Sequence, residues 1–341
     1  MNRFMFIALP FILLSCDSHH EQDQTQTESP TYVWSQVATT PTLYRVESSV
    51  VYDSDSDRLI LFGGRDRNWN ESNDTWEYNP AEKSWRRINT IGSPWKRQFH
   101  AMVYDSIGKR AILFGGYEGD EALGDLWAFD YDEARWETLP NEFAPAPRYM
   151  NGLVFDSANN SLVLFGGRIH DGNSQLQAND TWIYSLDELV WEKRTPAISP
   201  PARDHISMAY DPESGNTILF GGNGSGGTLG DTWTFDLAQN AWEKMGPDNA
   251  PSPRDHNILT YSPDLSGVLL VSVGMGETTD CCWTYRAIEN TWIDISPAGK
   301  MPEGRDHMQG ALTPNGLFFF GGFSGGPGGA RGDFWVLKPV D

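Results

Sequence analysis

Three times the chain writes arginine, aspartate, histidine: Arg203-Asp204-His205, Arg254-Asp255-His256 and Arg305-Asp306-His307. These side chains can do chemistry near neutral pH. Imidazole titrates in the physiological range and ligates metals, and a carboxylate beside it can orient it or share its proton. Guanidinium adds a fixed fork of donors for anions. Three readings stay open: acid–base pairs, imidazoles offered to a metal, or pairs that hydrogen-bond only within their own turn. Because the pairs recur with a period, the local hydrogen-bonding reading is favoured, and no metal or cofactor is assigned.

The same position occurs three times earlier as Arg45-Val46-Glu47, Arg97-Gln98-Phe99 and Arg148-Tyr149-Met150, with His100 one place later. Six arginines in step suggest a structural tie to a carboxylate or carbonyl of a neighbouring unit. The competing reading is a ring of guanidinium groups that draws anions. Two thiols, Cys281 and Cys282, stand before Trp283 where other units have Asp-Thr, Asp-Leu or Asp-Phe. A vicinal disulfide, a free pair and a soft-metal site are all open for them. Trp69 and Trp95 fall outside the repeat, which makes them candidate exposed aromatics at a ligand surface.

The elements that carry these residues are legible from internal repetition. "LILFGG" (59–64) returns as "AILFGG" (111–116), "LVLFGG" (162–167), "TILFGG" (217–222) and "LFFFGG" (317–322), with Gly274 taking the place of the second glycine in a degenerate "VSVGMG" (271–276). Each glycine pair is followed by a tryptophan: Trp76, Trp127, Trp182, Trp233, Trp283 and Trp335. Nine residues beyond each of the first five comes another: Trp85, Trp136, Trp191, Trp242 and Trp292. Short runs, alternating or continuously apolar, mark four strands per unit, buried on both faces by their neighbours. Paired glycines allow positive φ and close backbone approach where each second strand ends.

This pattern of Arg, Gly-Gly, Trp and Trp at about fifty residues resembles the Kelch repeat, and the resemblance covers nearly everything from residue 31 onward. It implies an all-β, six-bladed propeller over 31–341. Trp34 supplies the last tryptophan that the carboxy-terminal unit lacks, so the amino-terminal strand is expected to complete the last blade and close the ring. In that geometry Arg97, Arg148, Arg203, Arg254 and Arg305 begin innermost strands at the mouth of a central channel. The loops after the glycine pairs differ in length, and the functional face is expected there.

The amino terminus reads as an export signal. Arg3 precedes an apolar stretch too short to span a bilayer, and Leu13-Leu14-Ser15-Cys16 resembles a bacterial lipobox. Residues 1–15 are then a lipoprotein signal peptide, and 16–30 a lipidated Cys16 with a flexible tether. Cleavage as an ordinary secretory signal is the alternative. A net charge of −21 repels phosphate backbones, which argues against a nucleic-acid partner.

Kelch propellers serve mostly as recognition platforms. A minority are enzymes, among them a copper oxidase, iron-binding plant specifier proteins and periplasmic sialic acid mutarotases. The expectation is a lipid-anchored module of the cell envelope that binds a protein or glycan through its loop-rich face and meets a membrane only through its anchor. A sugar isomerase of the mutarotase type is the alternative, and a metal-dependent redox enzyme using the histidines and Cys281/Cys282 comes third.

Overall fold

Leu59, Ile60, Leu61 and Phe62 are four consecutive apolar side chains, all buried. In a strand, neighbours point to opposite faces, so such a run needs a core on each side. Leu59 and Leu61 enter one apolar cluster while Ile60 and Phe62 enter another. The same demand, made once per repeat, shapes the molecule.

The computed structural model describes residues 31–39, 43–170, 174–274, 281–297, 299–325 and 329–340, so the expected signal peptide and tether lie outside it. It contains six four-stranded antiparallel sheets and, among the described residues, no α-helix. In the first blade the strands are Ser49–Asp53, Arg58–Phe62, Thr75–Asn79 and Ser84–Ile88, paired in chain order. The innermost strands of the next five blades are Ala101–Asp105, Gly152–Asp156, Ser207–Asp211, Ile258–Ser262 and Gln309–Thr313. Each lies against the next, and the sixth lies against the first.

Six apolar clusters fill the six gaps between sheets, one of them joining the last blade to the first through Tyr78, Trp85, Phe318, Phe320 and Phe334. The sixth sheet is completed as expected: Tyr32–Val37 pairs antiparallel with Phe334–Pro339, with Trp34 opposite Leu337 and Gln36 opposite Trp335. A six-bladed Kelch-type propeller, closed by strand exchange between its two ends, accounts for all of these pairings.

The tryptophans nine residues past the first of each unit form the seams between blades. Trp136 packs on Phe62 of the preceding blade at 4.9 Å, and Trp242 and Trp292 repeat this on Phe165 and Phe220 at 5.0 Å. Each also donates its indole N–H to a threonine one blade back: Trp136 to Thr75, Trp242 to Thr181 and Trp292 to Thr232. Burying a large ring while satisfying its one polar atom is what makes tryptophan suit this position.

The paired glycines dock one blade on the next. Gly63 and Gly64 both have positive φ, and the Gly64 N–H donates to the Arg97 carbonyl of the next blade at 2.8 Å. A Cβ on Gly63 would sit 2.9 Å from that same carbonyl. Gly167, Gly222 and Gly322 make the equivalent bond to Arg203, Arg254 and Arg45, the last crossing from blade six to blade one. The degenerate fifth unit corrects the sequence alignment by one residue. Val271 pairs with Cys282 where Phe62 pairs with Thr75, so Ser272 and Val273 hold the glycine positions and Gly274 falls one beyond.

Truncating Trp242 to alanine opens a void between two blades and removes the Thr181 partner. The expected loss of unfolding free energy is about 3–5 kcal/mol. Trp95→Ala, whose ring is 70% exposed, should stay within about 0.5 kcal/mol of the parent. Urea denaturation followed by intrinsic fluorescence checks both.

Candidate functional site

Four of the repeated arginines begin a network that ties the first glycine, an aspartate and the first tryptophan of their own blade. Arg203 donates Nη1 to the Gly221 carbonyl at 2.9 Å, Nη1 and Nη2 to the two oxygens of Asp231 at 2.6 and 2.9 Å, and Nε to the Pro201 carbonyl at 3.0 Å. Trp233 donates its indole N–H to the same Asp231 carboxylate at 2.7 Å. The pattern recurs at Arg97 with Asp125 and Trp127, Arg148 with Asp180 and Trp182, and Arg305 with Asp333 and Trp335. Arg45 pairs with Asp74 in the first blade, and Arg254 bonds the Ser252 carbonyl in the fifth, where Cys281 holds the aspartate position.

Arg97, Arg148, Arg203 and Arg305 are completely buried, and none of the six lines the axial cavity. The competing reading, a ring of guanidinium groups at the channel mouth, is therefore not what these arginines form. The arginines are ties, although their carboxylate partners belong to their own blades rather than to neighbours. A planar fork with five donors, matched to one carboxylate and two carbonyls, suits this buried position, where a lysine would leave acceptors unmet.

Two residues beyond each arginine the backbone enters the left-handed region. Glu47, Phe99, Met150, His205, His256 and His307 have φ between 50° and 58°. Non-glycine residues rarely occur there, and six at equivalent positions make one built feature. Phe99 N–H donates to the Glu47 carbonyl and Met150 N–H to the Phe99 carbonyl, both at 3.0 Å, so neighbouring blades brace the turn. The turn presents all six side chains to one cavity of about 250 Å³ framed by the six innermost strands.

The three histidines meet in that cavity. Ring centres are 4.1 Å apart for His205–His256 and 4.2 Å for His256–His307, and one nitrogen from each ring lies within 4.8 Å of the others. Phe99 leans edge-on toward His307 at 5.3 Å. None of the three aspartates of these triplets lines the cavity, and Asp204 and Asp255 stand behind their own rings. Asp204 holds His205 Nδ1 at 2.5 Å, and Asp255 holds His256 Nδ1 at 2.9 Å. Arg168 and Gln177 donate to the second oxygen of Asp204 at 2.6 and 2.9 Å. Burial alone would raise the Asp204 carboxyl, but bonds from His205, Arg168 and Gln177 bring it down to about 2. His307 is pushed down to about 3 by burial and by its two histidine neighbours.

Glu47 completes the ring beside them, with its carboxylate clasped by Arg65 through two bonds at 2.5 and 2.6 Å. Burial raises its pKa against the opposing pull of that arginine. Sequence reasoning missed Glu47, Phe99 and Met150 as members of the site. The signal available was their common position, two residues after a landmark arginine. His100 lies one place further on, is buried, and is pushed down to about 3 by desolvation, so it packs as a neutral ring against Phe62.

The remaining candidates are placed elsewhere. Cys281 and Cys282 are buried thiols with their sulfurs 3.0 Å apart, packed with Trp34 between blades five and six and outside the histidine cavity. Of the three readings open for these thiols, the free pair is the one this arrangement holds. Trp69 is 44% exposed, with Arg65 over its ring at 4.7 Å and Phe323 of blade six at 5.3 Å. Trp95 is more exposed still, and its carbonyl accepts from the buried Arg97 side chain at 3.0 Å.

Comparison with known proteins agrees with this geometry. The chain matches the KLHDC2/KLHL20/DRC7 Kelch-repeats domain over residues 15–143 and 139–322. It is 30% identical over 195 residues to putative adagio-like protein 2 of Oryza sativa subsp. japonica, covering 54% of this chain and 29% of that one. An F-box/kelch-repeat protein of Arabidopsis thaliana is 28% identical over 208 residues, 55% of this chain and 42% of its own length. Multiple epidermal growth factor-like domains protein 8 of Homo sapiens is 27% identical over 332 residues, 86% of this chain and 11% of its own. The chain thus spans less than half the length of these relatives.

Breaking one tie should be expensive. Arg203→Ala leaves the largely buried Asp231 carboxylate beside Trp233 with no counter-charge, and about 3–5 kcal/mol of stability should be lost. Burial alone would raise Asp125, Asp180, Asp231 and Asp333, but their arginine and tryptophan bonds hold them below the ordinary carboxylate range. A carboxyl lowered in the folded state stabilises above its unfolded pKa of about 3.9, and that contribution is lost as pH falls below it. Urea midpoints measured from pH 7 down to pH 3 should therefore fall less steeply in Asp231→Asn than in the parent.

Proposed function

Because the chain belongs to the Kelch-repeat family, we propose that it is a binding module, held at the cell envelope by a lipid on Cys16, whose loop-rich face holds a partner protein. A glycan bound on the same face is the alternative occupant. Kelch domains generally mediate protein binding, and one observation carries the reading here. Of the large apolar side chains left exposed, Trp69, Trp95, Phe143, Leu176 and Ile198 belong to the connections and post-glycine loops of a single face. The short turns of the opposite face expose Ile107, Leu189 and Ile288.

The position of the exposed groups supports recognition rather than loose packing. Trp95, Phe143 and Ile198 sit in three successive interblade connections, each ending in an arginine that is completely buried. Aromatic anchors on rigid supports lose little conformational freedom on binding and carry much of an interface's energy. The enzymatic alternative has less to draw on. A sugar isomerase using an anion-binding arginine ring would need guanidinium groups that are already spent inside the blades. Its acid–base aspartates would have to act from behind the histidines.

A photo-crosslinking amino acid placed at 95 or 143 in living cells should give discrete protein adducts, whereas one at 107 or 288 should not. Equal labelling from both faces, or none from the first, would count against the module. Cys16→Ala should release the protein from the membrane fraction and abolish labelling by an alkyne fatty acid. Retention on the membrane with labelling intact would refute the anchor.

A further inference from the structure

We propose that His205, His256 and His307 form a three-imidazole site for a divalent transition-metal ion, set on the propeller axis where the loop-rich face opens. It goes beyond the binding-surface reading and is tested separately from it.

Four observations carry it. The first is convergence: three blades deliver one ring nitrogen each to a single cluster within 4.8 Å. At bond lengths of about 2.0–2.1 Å, tetrahedral imidazole nitrogens lie roughly 3.4 Å apart, so modest rotation about the side-chain bonds brings them to one ion. The second is an orphan atom. His256 Nε2 is buried and, among the described residues, has no hydrogen-bond partner. Buried polar atoms in native proteins rarely stay unsatisfied, and a lone pair aimed into a cluster of others is what a metal ligand looks like before the ion arrives.

The third is orientation. Asp204 and Asp255 each take the Nδ1 of their own histidine, at 2.5 and 2.9 Å. A carboxylate on Nδ1 fixes the proton there and leaves the Nε2 lone pair for a metal, the arrangement found behind ligating histidines generally. For His205 the support extends one layer further, since Arg168 and Gln177 fix Asp204 in turn. Hydrogen bonding within isolated turns needs no such backing and would not bring the rings to 4.1 Å of each other.

The fourth is chemistry. Three nitrogen donors suit zinc, cobalt, nickel or copper and give little purchase to magnesium or calcium, which want oxygen. Glu47 stands next in the ring but is engaged by Arg65, while Phe99 and Met150 make the facing arc apolar. Three protein ligands then leave a coordination position open toward the cavity, where water or a partner's donor atom can bind. A net charge of −21 favours the approach of a cation.

The test uses the full-length chain in detergent, stripped with chelator and titrated with Co(II), whose visible bands report ligand type and geometry. One equivalent should bind with micromolar or tighter affinity, give the intensified absorption of a four- or five-coordinate site, and be displaced by Zn(II). Asparagine tolerates the left-handed backbone, so His205→Asn, His256→Asn and His307→Asn can remove one imidazole each. Each should weaken Co(II) binding about 100-fold or more, and Asp255→Asn about 10–100-fold, while leaving the apo circular dichroism unchanged. A variant with asparagine for both histidines of the expected tether, His19→Asn/His20→Asn, should bind as the parent does. Should an asparagine variant fail to fold, His256→Phe, which copies the residue blade two holds at this position, replaces it. Failure of the parent to bind Co(II), Zn(II) or Cu(II) at micromolar concentration, or undiminished binding by the triple histidine variant, overturns the site.

Discussion

A guanidinium group with no access to water, matched to one carboxylate and two carbonyls, is the constraint from which the rest of this propeller follows. Arg97, Arg148, Arg203 and Arg305 each meet it with an aspartate of their own blade, the first glycine of the pair and the residue two before the arginine. The same aspartates accept from the tryptophans two residues on. Separate landmarks in the sequence are thus one hydrogen-bonded assembly in space. A buried charge stripped of its partner costs several kcal/mol, so no member of such an assembly can be exchanged singly without loss.

The tie has a geometric consequence as well as an energetic one. It pins the chain where an interblade connection turns into an innermost strand, and the paired glycine of the preceding blade bonds the arginine's own carbonyl. Two residues later the left-handed turn sets one side chain on the axis. What the scaffold fixes is therefore a position, while the identity of the side chain is free. The blades use that freedom for Glu47, Phe99, Met150, His205, His256 and His307. A conserved frame surrounding a variable centre lets a propeller acquire a site without disturbing its seams.

Much of this was legible in the sequence because burial and periodicity are local signals. The nine-residue tryptophan step reports strand pairing, and the surplus Trp34 reports closure through its pairing with Leu337 near the other end of the chain. The axial site was less legible for a physical reason. Whether the three Asp–His pairs face separate seams or one cavity depends on the sign of φ at His205, His256 and His307, and histidine does not announce a left-handed conformation as glycine does. Recurrence of the arginines signals a structural tie, but it carries no information on which blade supplies each carboxylate. In the fifth unit, Val273 occupies a glycine's place and Cys281 an aspartate's, so identity matching slips where the pairing of Val271 with Cys282 does not.

The axial cluster also separates two kinds of chemistry that its residue types allow. An acid–base pair needs an imidazole that gains and loses a proton near neutral pH. His307 is held near 3 by burial and by His256 and His205, because a positive charge among neighbouring rings has little water to stabilise it. Such a ring is a weak base toward protons in that setting. Its lone pair is nonetheless intact, and a bound metal ion shared by three imidazoles spreads its charge over all of them rather than placing a full proton on one. Crowding that disfavours protonation thus leaves ligation open, and the carboxylates behind His205 and His256 stabilise whatever positive charge the rings come to share.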